Sequence, residues 1–198
     1  MTPKQKNLLT LAAIIGIFVA FAVAGRLINV SQLDKTNKGH LIVPHVPLDR
    51  LQLTRTGQPF GNAQTTHWSL MYVAGAHCEA ACKNALFYQM QRTRQALGEQ
   101  GRSLQLLAVA TNDDPALSDF ISTKTPDVTL LQGHAPWVDA ALKTGLGGAS
   151  ALGRVFLISP DGMVFMWYDS HADKDGTIVE SSHIYDDVRT TLKGSLTG

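Results

Sequence analysis

Cysteine is nearly absent from this chain, which has two in 198 residues, Cys78 and Cys82. So few exclude the disulfide framework that holds small secreted domains together. Charge is scarce as well. Asp, Glu, Lys and Arg make up 17% of the residues, sum to a formal net charge of +1 and form no basic stripe. That balance gives no electrostatic reason to bind nucleic acid, and no such partner is expected. Repeats and low-complexity tracts are also missing. What remains is a chain long enough for one globular domain plus an appendage. With 44% apolar residues, its core needs no help from disulfides or metal.

The appendage is the one long apolar run, LLTLAAIIGIFVAFAVAG at residues 8–25, interrupted only by Thr10 and preceded by Lys4 and Lys6. Its length is at the low end for crossing a bilayer, and Leu27 and Ile28 extend it if Arg26 snorkels. The expected organisation is a cytoplasmic segment 1–7, a transmembrane anchor 8–28, a linker 29–48 and a globular domain 49–198. The lysines ahead of the run place the domain on the extracytoplasmic (periplasmic) side of an inner, plasma membrane as a single-pass protein. A competing expectation is cleavage after Ala24, because Ala22-Val23-Ala24 has the form of a signal-peptidase site. The apolar core of a cleaved signal is usually about 7–15 residues, shorter than this run. Both expectations export Cys78 and Cys82 to a compartment where disulfides form. Ala12, Gly16, Ala20 and Ala24 recur every four residues, so the anchor either presents a small-residue face to a second helix or is an ordinary alanine-rich span.

Beyond a polar, proline-bearing tether, LQLTRTG and QPFG suggest a short hairpin. THWSLMYVAG follows as a strand of buried type. Residues 79–100 have helical propensity, with Leu86, Met90, Thr93 and Leu97 on the inner face. SLQLLAVAT is a second apolar strand, and Asp113-Asp114-Pro115 has the form of a helix start, with Asp as cap and Pro in the first turn. Next come a short helix in ALSDFIST, a brief strand at 127–131 and a helix at 135–144. VFLISPDGMVFMWY reads as a hairpin and SSHIYDDVRTTLKGSL as a terminal amphipathic helix. Such alternation predicts an α/β fold, a central sheet with helices on both faces. A Cys-x-x-x-Cys between the first long strand and its helix, with a late hairpin and helix, is the thioredoxin-like arrangement.

The chemistry concentrates in MYVAGAHCEAACKNAL. A disulfide closing five residues contributes only about 2 kcal/mol in the chain-entropy model, so a purely structural staple is a weak explanation. At a helix start, backbone N–H groups and the helix dipole favour a thiolate. Sulfurs four residues apart can close on oxidation or converge on one soft metal ion. His77, beside the first cysteine, could be a ligand, could lower the thiol pKa as imidazolium, or could point away along an extended segment.

Residues 67–90, together with LISPDGMVFMWY, resemble the Sco/SenC family of membrane-anchored, thioredoxin-like copper proteins that assist cytochrome c oxidase assembly. The likeness covers most of residues 50–198 plus the anchor. It places Cys78 and Cys82 at the family's Cys-x-x-x-Cys, His77 at a histidine that also occurs there, and Pro160-Asp161-Gly162 at its hairpin turn. Two positions depart from the pattern. Lys83 stands where a proline commonly follows the second cysteine. Ala151 stands where the family has its copper-ligating histidine, nine residues before the turn. Two thiolates with an imidazole suit copper, whereas two thiolates alone make a weaker site. His134, His171 and His183 read first as surface residues and only second as replacements for the missing donor. Met163 and Met166 could offer thioethers but fit a hairpin core. The small residues 147–151 either form a plain flexible loop or let a partner's backbone approach the thiols. Asp173-Lys174-Asp175-Gly176 lacks the ligand series of a calcium loop and reads as a turn.

The resemblance implies a membrane-anchored Sco-like factor in heme–copper oxidase assembly. Its activity would be thiol–disulfide exchange, with Cys78 attacking and Cys82 resolving, on an oxidase subunit or copper carrier that bears a cysteine site. Two alternatives stay open at this level. One is a Cu(I) metallochaperone using Cys78, Cys82 and either His77 or a client residue. The other is a non-catalytic protein that associates with the oxidase through its anchor.

Overall fold

The computed structural model describes residues 37–195, so the anchor expected at 8–28 and the alternative cleavage at Ala24 lie outside the described residues. Among the described residues no helix is long and apolar enough to cross a membrane.

Strand β4 (Ser69–Val73, SLMYV) is buried at every position. Successive side chains of a strand leave opposite faces, so a strand apolar throughout must be covered on both. The chain meets that demand by building outward from it. β5 (Gln105–Ala110) pairs parallel with β4, and β6 (Val128–Gln132) pairs parallel with β5. β7 (Arg154–Ile158) lies antiparallel on the other edge of β4 and continues through the turn at Ser159–Gly162 into β8 (Met163–Asp169). β1 (His40–Pro47) closes the sheet beyond β8. The hairpin of β2 (Leu53–Arg55) and β3 (Gln58–Phe60) closes it beyond β6. The resulting order is β1-β8-β7-β4-β5-β6-β2-β3.

Four helices cover this sheet. Helix α1 opens as an α-helix over Ala80–Asn84, widens to a π-helix over Ala85–Arg92 and closes as an α-helix over Thr93–Ala96. Helices α2 (Pro115–Lys124), α3 (Ala135–Lys143) and α4 (Lys174–Ser195) follow. On one face Leu70, Tyr72, Leu106 and Leu157 pack with Leu86 and Met90 of α1, Leu117 of α2, and Ile184 and Val188 of α4. On the other, Met71, Val73, Leu107 and Phe156 pack with Val138 and Leu142 of α3 and with Ile42, Leu48 and Leu51. A bulge in β8 opposite Leu157 and Ile158 lets Val164 join the second core while Met166 and Tyr168 join the first.

The sequence expectations differ from this fold at three places. Residues 40–47, expected within the linker, form β1. The outer edge of an end strand needs no backbone donor, so Pro44 and Pro47 are tolerated there. The stretch Asp173–Gly176, expected as a turn, starts α4, with Asp173 Oδ1 accepting the Gly176 N–H at 2.7 Å. Gln89, three residues after Leu86 and so on the same helical face, is buried beside Met90 although its polar side chain kept it off the expected inner face. Its amide donates to the Asp169 carbonyl at 3.0 Å, which ties α1 to β8.

One buried carboxylate fastens the start of the described chain to α4. Asp187 accepts the Gly39 N–H at 2.7 Å, the Lys38 N–H at 3.0 Å and the Tyr168 hydroxyl at 3.0 Å. Gly39 suits the spot because a Cβ there would meet the Tyr168 ring at 2.4 Å. Asp187→Ala leaves these donors without an acceptor and is expected to cost about 3 kcal/mol in urea unfolding, with Asp187→Asn losing less. Burial holds the Tyr168 phenol well above its ordinary range, with Asp187 adding to the shift, and burial pushes Tyr72 up to about 12 against a hydrogen bond from Ser170. Raised folded values mean that this stability is intact below about pH 10 and is lost as pH rises toward 12. Tyr72→Phe should therefore flatten the alkaline decline in unfolding free energy by about 1.4 kcal/mol per pH unit.

Candidate functional site

Parallel pairing ends β4, β5 and β6 at one edge of the sheet, and antiparallel pairing makes β7 begin there. Residues 74–79 leave β4 at this edge and are held from two sides. The Ala74 N–H donates to the Val109 carbonyl at 2.9 Å, extending the β4–β5 ladder by one step. Beyond it, three side chains of the β5–α2 connection take over. Thr111 Oγ1 donates to the Ala74 carbonyl at 3.0 Å, Asn112 Nδ2 donates to the Ala76 carbonyl at 2.7 Å, and Asp114 Oδ2 accepts the Cys78 N–H at 2.7 Å. On the opposite side the Gly153 N–H donates to the Val73 carbonyl at 2.7 Å, and Ser170 Oγ donates to the Gly153 carbonyl.

Cys78 and Cys82 are joined as a disulfide, with their Cα atoms 5.1 Å apart. The pair does not share the first helical turn as the sequence suggests. Glu79 is the N-cap of α1, so Cys78 precedes the helix while Cys82 lies in its first turn. Both cysteines belong to the core between the sheet and α1, at 5% and 3% exposure. Their neighbours differ: Ala76, His77, Glu79 and Ala80 around Cys78 are all exposed. Cys78 therefore sits in the more exposed stretch of backbone. Asn84, two residues past Cys82, donates to the carbonyls of His171 (3.0 Å) and Ala172 (3.2 Å), anchoring the start of α1 to the segment before α4.

The other sequence candidates lie as follows. His77 is solvent-exposed. His134 packs its ring against Trp137 at the start of α3, 4.8 Å between centroids. His171 Nε2 and His183 Nδ1 share Glu180 Oε2, at 3.9 and 3.4 Å. Met166 is buried, and the Tyr168 hydroxyl lies 2.9 Å from its sulfur. Ala151 is fully buried in the core of the opposite face, where its N–H donates to Asp139 Oδ1 at 2.7 Å; the position serves packing and offers no donor side chain. The same Asp139 oxygen accepts from Ser150 Oγ at 2.8 Å, which fixes the end of the glycine loop. Gly147 and Gly148 have positive φ and open space where a Cβ would stand. Among the described residues no three His, Cys, Asp or Glu side chains are grouped so as to hold a metal ion. The donor set present, two mutually bonded sulfurs and an exposed imidazole, does not complete a copper site.

Sequence reasoning missed Thr111, Asn112 and the second role of Asp114. Asp-Pro at a helix start announced the cap, but nothing local announces a bond to a residue 36 positions earlier.

A family model described as a transmembrane-like, thioredoxin-like, C-terminal domain matches residues 68–195. Among solved structures, apo Sco1 from Thermus thermophilus matches with a TM-score of 0.57 at 16% identity, over 80% of this chain and 99% of that one. Yeast Sco1 matches with a TM-score of 0.51 at 18% identity, over 77% of this chain and 95% of its own. At these identities the likeness is one of fold. No curated protein matches in sequence.

Because the disulfide ring is small, its removal is expected to be mild. Replacing both cysteines by serine should lower the unfolding free energy by about 2 kcal/mol. A loss beyond about 4 kcal/mol would mark the bond as a structural staple.

Proposed function

This chain belongs to the family of transmembrane-like, thioredoxin-like C-terminal domains, and from that footing we propose that it works by thiol–disulfide exchange on a client cysteine pair. The observation that carries the proposal is the Cys78–Cys82 disulfide, made from the chain's only two cysteines and mounted on a braced loop at the sheet edge. In the reduced protein the Cys78 thiolate attacks one sulfur of a client disulfide. A mixed disulfide forms and one client thiolate leaves. Cys82 then attacks Cys78 Sγ, closing the bond seen here and releasing the second client thiolate. The client gains two electrons and this protein loses two, to be restored by a dithiol reductant. Cys78 takes the attacking role because it stands among exposed residues, and Cys82 resolves because it lies in the first turn of α1.

The setting follows from the sequence resemblance. The 8–28 segment anchors the domain in the inner, plasma membrane, and the domain faces the extracytoplasmic side. The client is a heme–copper oxidase subunit or a copper carrier whose paired cysteines must be reduced before metal enters. Cu(I) is then the client's cargo.

The test is trapping with the full-length chain. Cys82→Ser should accumulate a mixed disulfide with the client, released by dithiothreitol, and Cys78→Ser should accumulate none. If Cys82→Ser forms no adduct, and the reduced wild-type chain holds one Cu(I) that Cys78→Ser loses, copper delivery replaces exchange as the activity.

A further inference from the structure

The connection between β5 and α2 grips the cysteine loop with three side chains, and the grip of Asp114 differs from the other two. It falls on a cysteine, its acceptor is a carboxylate and so the bond is charge-assisted, and its second oxygen is committed elsewhere. Oδ2 accepts the Cys78 N–H at 2.7 Å while Oδ1 accepts the Ala116 N–H at 3.0 Å, capping α2. One carboxylate thus ties the position of Cys78 to the N-terminus of a helix that is itself packed on the sheet through Leu117 and Ile121. Cys78 lies ahead of the Glu79 N-cap, outside the hydrogen-bond ladder of α1, so α1 does not fix its backbone.

We propose that Asp114 is a positioning residue that biases the Cys78–Cys82 couple toward the disulfide, an inference that rests on the exchange reading above. Closing the ring requires Cys78 Sγ to remain beside Cys82 Sγ. A loop already held in its closed path loses less conformational entropy when the bond forms. The clamp engages a backbone N–H that both redox forms carry, and it forms at less entropic cost when the ring is already closed, so clamp and ring closure are linked. It favours the oxidised form and makes the dithiol a stronger electron donor. The balanced reaction is protein dithiol plus glutathione disulfide giving protein disulfide plus two glutathione.

The experiment equilibrates the full-length chain in glutathione buffers and counts free thiols by alkylation. With only two cysteines the readout is unambiguous. Asp114→Ala should lower the oxidation equilibrium constant about tenfold, equivalent to a potential about 30 mV less negative. Asp114→Asn retains one carbonyl acceptor and should fall between, and it supplies a folded comparison if the alanine variant is unstable. Asp173→Ala is the control, because it removes a comparable contact at the start of α4 without touching the cysteine loop. Its equilibrium constant should stay within about twofold of wild type, a change too small to register against the tenfold scale. Equal constants for wild type and both Asp114 variants, or an equal shift in Asp173→Ala, overturn the role of Asp114 and leave exchange standing. A wild-type disulfide that never equilibrates with glutathione overturns exchange itself, and the role of Asp114 with it.

Discussion

Strand β4 exposes neither a face nor an edge to water. Its side chains enter both cores, and its backbone is paired with β5 on one side and β7 on the other. That doubly enclosed strand is what the cysteine loop grows from. The loop starts from a fixed point and a fixed direction, and its neighbours, the β5–α2 connection and the segment around Gly153, are positioned by the same pairing. Five hydrogen bonds then carry the order of β4 outward as far as Cys78. The precision of the site is inherited from the sheet, and the first turn of α1 adds to it only at Cys82.

The sheet also divides the chemistry. The disulfide lies with the core that faces α1, α2 and α4, while Ala151 is buried with the core that faces α3. A donor side chain at that position would have to leave this packing to serve the sulfurs, while the backbone N–H kept its bond to Asp139. With alanine there, the loop is an element of the second core that happens to run past the end of β4. The two sulfurs are bonded to each other, beside the exposed stretch around Cys78. This separates the chain's fold, which Sco1 proteins share, from the donor set that a copper site needs.

Much of this was legible in the sequence, for identifiable reasons. SLMYV and QLLAVA announced buried strands because continuous apolar runs leave no wet face, and Ser-Pro-Asp-Gly announced the β7–β8 turn. The cysteine pair stood out through its isolation. What stayed hidden depends on partners distant in the chain. β1 was masked by its prolines, because edge pairing with β8 is invisible until the sheet exists. The start of α4 was masked by Gly176 and its charged neighbours, which suggest a turn until the Asp173 bond is seen. Gln89 lies on the periodic inner face of α1 but was hidden by its polarity, because the Asp169 carbonyl that satisfies its amide is 80 positions away. Asp187 looked like one more polar residue on an amphipathic helix, although it gathers donors from nearly 150 positions away.

That last contact has a mechanical side. A strand pulled from its end along a sheet edge peels, one pair of hydrogen bonds at a time. Here tension entering through residue 37 meets a carboxylate that grips two successive N–H groups just ahead of β1. The load passes into α4, and through the Tyr168 hydroxyl into β8, before β1 can begin to unzip. Force applied at residue 37 is therefore borne first by a helix and an inner strand, and only afterwards by the edge pairing of β1.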